Sequence, residues 1–196
     1  MQPISPHLGH DDPLCGQCSR QSGGCCVTTL EDTAYCFPLS EKEITRLLPY
    51  AHLAAPLTAE EKTSSDAGRA AVCSMEKNSE EFLKSMRYLF PSQPKKITEL
   101  FPSDAMHYRL RLNDNGACTF LGEHGCRLPR GVRPWYCLLF PVWYQSGQLT
   151  VFLSDVCLAT RDISDPLLAL QRLDVPEQTA RQIYRRLTAD WGFTDD

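Results

Sequence analysis

The stretch Cys15–Cys26 reads CGQCSRQSGGCC and places four of the chain's ten cysteines within a dozen residues. Cys15 and Cys18 form a Cys-x-x-Cys pair, whose thiolates can share one ion across a tight turn. Gly16, Gly23 and Gly24 let the backbone fold closely around a small object. Cys25 and Cys26 are adjacent, and consecutive side chains of an extended stretch point to opposite faces. Either one of them ligates while the other packs, with Cys26 preferred, or the pair serves a larger centre.

A second set answers the first. Cys118, Cys126 and Cys137 lie in ACTFLGEHGCRLPRGVRPWYCLLFP, beside a turn, after the glycine-bounded loop 122–125, and just after Arg-Pro-Trp-Tyr. Zinc and iron–sulfur centres need several soft, anionic sulfurs at short range. Ligands drawn from two distant segments let a metal act as a staple for the fold. The expected cofactor is therefore zinc or iron, the iron either alone or as an iron–sulfur cluster. Cys36, Cys73 and Cys157 read as small buried hydrophobes, although Cys157, after Ser154-Asp155-Val156, is also a candidate ligand. Arg127, Arg130 and Arg133 fall inside the second set. They either offset the charge of a thiolate centre and donate to sulfur, form a solvated loop, or bind an anionic substrate or partner. His7, His10 and His124 read as solvated.

Composition sets the frame. The chain has 196 residues, 42% hydrophobic and 22% charged, with a net charge of −4. That is one ordinary globular domain, and its charge offers no pull toward nucleic acid or anionic membrane. No nucleic-acid partner and no membrane insertion are expected, because no apolar run approaches the roughly 20 residues a bilayer span needs. The stretch MQPISPHLGHDDP lacks the pattern of a signal peptide. A cytoplasmic location is expected, where thiols stay reduced and Cys-x-x-Cys more often means metal or redox chemistry.

The expected architecture is α+β, with helices around small antiparallel hairpins stapled by a Cys-ligated metal centre. Residues 1–14 read as an irregular tail, 15–196 as a single domain, and 54–75 as a linker or insertion. Val27–Leu30 reads as a short strand. Ser40 with Glu43 forms a capping box that opens a helix over 40–49. Further helices are expected over 76–90 and 177–192, with one or two more turns at 95–101. Met106–Leu112 alternates and is expected to pair with Ala117–Leu121 across Asn113-Asp114-Asn115-Gly116. Val142–Tyr144 should pair with Leu149–Leu153 across Ser146-Gly147.

These residues resemble the YkgJ-type cysteine-cluster family, the CxxCxxCC family of zinc- or iron-chelating domains. The matching features are Cys15-x-x-Cys18, the Cys25-Cys26 pair, and a Cys…Gly-Cys…Arg-Pro…Cys…Phe-Pro pattern. That pattern runs through Cys118, Gly125, Cys126, Arg133, Pro134, Cys137, Phe140 and Pro141. The resemblance spans residues 15–141, is poorest over 54–105, and has a longer gap between Cys18 and Cys25 than the family name describes. It implies metal or cluster binding and no particular reaction.

Three functions follow from this reading. The first is a metal-binding protein with Cys15, Cys18, Cys25, Cys26, Cys118, Cys126 and Cys137 as candidate ligands. The second is a metal- or cluster-dependent enzyme doing redox or methyl-transfer chemistry. The third is an interaction module whose metal is purely structural, in which case chelation unfolds it.

Overall fold

The computed structural model describes residues 13–21, 24–28, 36–59, 66–154 and 157–193, with the backbone alone for Pro13 and Cys15. The tail with His7 and His10, residues 29–35 and 60–65, and Asp155-Val156 lie outside the described residues.

The cysteine stretch is not a loop throughout. Helix α1 covers Pro13–Gln21 and a 3-10 turn covers Gly24–Cys26. Proline suits a first helical turn, and LCGQCSRQ contains no β-branched residue to oppose the helix. Val27 then makes a single antiparallel bridge with Ala117 where a strand over Val27–Leu30 is expected; residues 29 and 30 lie outside the described residues.

Helix α2, Glu41–Leu47, opens with the expected capping box: Glu43 N donates to Ser40 Oγ at 3.2 Å, and Ser40 N donates back to Glu43 at 3.1 Å. A 3-10 segment, Leu48–Leu53, ends it. Within the expected linker, the described residues include helix α3, Ala67–Val72, which runs into strand β1, Cys73–Lys77. Helix α4 is correspondingly shorter than expected, Glu80–Leu89, because Ser79 caps it by accepting from Phe82 N at 3.2 Å. Helix α5 covers Pro94–Leu100.

Strand β2, Met106–Leu110, pairs antiparallel with β1, with Met75 opposite Tyr108. This departs from the expected hairpin with Ala117–Leu121. The Asn113–Gly116 turn does form, with Gly116 N donating to Asn113 O at 2.8 Å, but pairing beyond it is limited to a Leu112–Cys118 bridge and its neighbours. Strands β3, Leu121–Gly122, and β4, Gly125–Cys126, make a minimal hairpin. Helix α6, Trp135–Leu139, leads into β5, Val142–Gln145, and β6, Gln148–Val151. That last hairpin matches expectation, with Ser146 and Gly147 at φ 50° and 73°, the left-handed pair its two-residue turn needs. Helix α7, Pro166–Arg172, was not anticipated; Asp165 caps it by accepting from Leu167 N at 2.8 Å. Helix α8, Glu177–Trp191, closes the chain and ends at left-handed Gly192.

The architecture is therefore mixed: helices with small two-stranded antiparallel ribbons. Two apolar clusters organise it. Phe82, Met86, Phe90, Trp143, Ile183 and Leu187 belong to the larger, Ile44, Leu47, Val72, Phe120 and Leu128 to the smaller. Cys157 is part of the larger, while Cys118 and Cys126 pack against the smaller, so the cysteines sit where the two meet. Among the described residues no helix is long and apolar enough to cross a membrane.

Candidate metal centre

Backbone contacts bring the two cysteine sets together. Cys118 N donates to Cys26 O at 2.8 Å, and Thr28 N donates to Gly116 O at 2.9 Å. A Cβ on Gly116, whose φ is +77°, would collide with Thr28 O, so this crossing needs glycine. Helix α1 packs against β4, and at Gly16 an added Cβ would lie 2.9 Å from His124 O. His124 itself is exposed.

The result is a cavity of about 100 Å³ with five cysteines in its wall: Cys25, Cys26, Cys118, Cys126 and Cys137. Most of the remaining lining is apolar, and Arg133 brings a positive charge. Cys18 borders a neighbouring cavity beside Cys25, Cys26 and Cys157. Cys15 lies in α1, and its side chain is outside the described residues. Among the described residues, no three His, Cys, Asp or Glu side chains stand in a grouping that could hold one metal ion. The sulfurs ring a space rather than grip a point.

Their electrostatics fit that arrangement. Burial pushes the Cys137 thiol well above its usual range, and charges at Cys118, Cys26, Cys126 and Glu43 push it further. Cys137 keeps accessible surface, but it opens on the cavity, so desolvation still dominates. Cys118 is raised by burial first and then by Cys26 and Cys126. Cys126 is also raised by burial, against which Arg133 acts through its charge and a hydrogen bond to the sulfur. Converging thiols with so little nearby positive charge hold their protons; a bound cation reverses that balance and displaces them. The donor set thus suits a soft, thiophilic metal or a sulfur-bridged cluster.

The three arginines part company. Arg133 faces Cys126 and donates from Nε to Leu128 O at 3.2 Å. Arg130 instead donates to Leu173 O at 3.0 Å, and Arg127 to Leu53 O at 3.0 Å and Leu121 O at 2.9 Å. Those two brace loops.

Three residues near the site were not among the expected site residues. Glu43 is 2% exposed and lines a third cavity of about 250 Å³ that also touches Cys26, Cys36, Cys118 and Cys137. Its carboxylate accepts from Trp135 N at 2.9 Å as well as from Ser40, and burial holds its pKa up despite these bonds. Tyr136 stacks on Phe37 with ring centroids 5.0 Å apart and lines both larger cavities. Cys36 borders the 250 Å³ cavity, its Sγ 3.8 Å from Thr28 Oγ1. The capping box was the available signal for Glu43; Cys36 offers none, because its neighbours in space lie far off in the chain. Cys73 behaves as expected of a packed thiol, 4% exposed and pushed up to about 11 by burial.

No family model, no curated protein and no solved structure matches the chain.

Proposed function

We propose that the protein binds zinc or iron through cysteine thiolates, as its resemblance to the YkgJ-type cysteine-cluster proteins implies. The observation that carries this reading is the 100 Å³ cavity with Cys25, Cys26, Cys118, Cys126 and Cys137 in its wall. A water molecule's share of liquid volume is about 30 Å³, so the space exceeds what one ion occupies. That favours a centre of several atoms, an iron–sulfur cluster or more than one ion, over a closed single-zinc site. Cys15 and Cys18 remain candidate ligands from the neighbouring helix.

Metal analysis with an absorption spectrum, on protein purified without oxygen, tests the reading. Bound iron gives a coloured protein with charge-transfer bands; stoichiometric zinc in a colourless protein removes the cluster. Finding neither metal, with all ten thiols titrating freely, removes the proposal altogether.

A second reading, a metal- or cluster-dependent enzyme, is favoured by the adjoining cavity of about 250 Å³. Its wall includes Cys26, Cys118 and Cys137 beside Leu39, Leu110 and Phe140, with Glu43 as a buried carboxylate. An open coordination position there predicts that azide or cyanide shifts the spectrum of the metal-loaded protein. A spectrum indifferent to both counts against catalysis at this centre.

A further inference from the structure

We propose that Cys18 and Cys157, sharing Cys26 with the larger centre, form a second binding position for a thiophilic divalent cation such as zinc. The inference rests on the metal-binding reading above and adds a ligand, Cys157, that the sequence treats mainly as packing.

The geometry comes from three segments. Cys157 starts a turn in which its N donates to Ser154 O at 3.1 Å and its carbonyl accepts from Arg161 N at 2.8 Å. This turn places Cys157 and Leu158, with Cys18, Cys25 and Cys26, around a cavity of about 40 Å³. That space has room for an ion together with water. Cys118, Cys126 and Cys137 line the larger cavity, Cys18 and Cys157 the smaller, and Cys25 and Cys26 line both. Cys26 therefore stands in the wall between two groups of thiols, where one thiolate can serve an ion on either side.

The Leu158 N–H donates to the Cys18 sulfur, and the Cys157 and Cys26 thiols are its neighbours. On its other side is Gly24, at φ +47°, where an added Cβ would collide with Cys18 Sγ. Backbone is thus pressed against the sulfur, as a cradle requires. As they stand, no three of these thiols among the described residues are grouped tightly enough to hold one ion, so binding requires the cysteine side chains to turn about χ1 toward the cavity. Binding displaces the protons of Cys18 and Cys157 to solvent, and no electron changes hands.

Titration of metal-free, reduced protein with zinc, and in parallel with cobalt(II) to read thiolate-to-metal absorption, tests this. Full-length wild type should take up one more equivalent than Cys157→Ala, and that variant should keep the spectral phase that Cys118→Ala loses. Alkylation of wild type with and without zinc supplies a readout independent of any variant's folding: zinc should protect Cys18 together with Cys118. Equal uptake by Cys157→Ala and wild type overturns the second position, as does Cys18 alkylating equally fast with and without zinc. A wild type that binds neither metal instead overturns the metal-binding reading itself, and this inference with it.

Discussion

Arg133 is the charged side chain that meets the thiols from within the second cysteine set, donating to Cys126 and easing its ionisation. Replacing it with glutamine leaves Cys126 raised further by burial. Outer-shell partners of this kind typically contribute about 10- to 100-fold in metal affinity. Competition with a chromophoric chelator should show R133Q losing affinity in that range, whereas R127Q, whose arginine braces Leu53 and Leu121, should match wild type. Equal affinities would remove Arg133 from the site. His107 lines none of the cysteine-walled cavities and reports on the fold alone. It is 5% exposed, stacks on Phe82 at 3.8 Å, and pairs through Nδ1 with Asn78 Oδ1 at 2.8 Å, while Nε2 is buried with no partner. Burial pushes its pKa down from 6.5 to about 4, with Glu76 opposing the shift and Arg109 adding to it. The unfolded chain therefore binds a proton that the folded one refuses. This stability is present above the unfolded pKa and is lost as pH falls from about 6.5 toward 4, by at most about 1.4 kcal/mol per pH unit. Urea unfolding of wild type and H107F across that window should give pH slopes that differ by this term. Parallel slopes would mean the imidazole titrates normally.

Among the elements, the junction of α2 and α6 matters most, because α6 carries Cys137. Glu43 does two jobs there: it completes the capping box of its own helix and accepts the Trp135 N–H that opens α6. Arg46 reinforces the junction by lying 3.8 Å over the Trp135 ring and donating to Val132 O and Arg133 O. Glu43→Ala removes a cap interaction of about 1 kcal/mol and strands buried donors at about 1–3 kcal/mol. Chemical denaturation should thus show a loss of at least about 2 kcal/mol, and metal should dissociate faster than from wild type. A loss below 0.5 kcal/mol (roughly the scale of a surface change) would mean the tether is idle. The capping box was legible because its partners are three residues apart; the second bond of the same carboxylate was not, because Trp135 is remote in the chain. Strand β1 was hidden for a different reason. In CSMEK only Cys73 is buried while Met75 and Lys77 face solvent, so the alternation that marks a half-buried strand is missing. Its stability comes instead from β2 and from the Glu76–Arg109 ion pair. With that partner hidden, the sequence instead pairs Met106–Leu112 with Ala117–Leu121 across the adjacent turn.

At the scale of the molecule, the cysteines gather where segments remote in the chain meet. The Cys18 and Cys26 region reaches Cys118 and Cys126 through few backbone bonds, and these thiols border the gap between two apolar clusters. Cysteine spacing made that convergence legible, since Cys-x-x-Cys and the Arg-Pro-bearing run are chemical patterns that survive without knowledge of the fold. The sorting of individual thiols was less so: Cys73 and Cys157 are both buried, yet one packs from β1 into the smaller apolar cluster and the other lines a cavity with Cys18. A metal that joins the two clusters must stabilise the whole chain and not a local flap. Free zinc at a hundred times its dissociation constant should raise the unfolding free energy by up to about 2.7 kcal/mol for one site, and a further tenfold excess by about 1.4 kcal/mol more, less whatever the unfolded thiols bind. Calorimetry across a zinc series under reducing conditions should then show one transition moving upward as a unit. Cys73→Ala should lower that transition at every zinc concentration without changing its zinc dependence, whereas Cys118→Ala should flatten the dependence itself. A melting temperature of wild type that ignores zinc over the whole series would show that the two clusters hold together without it.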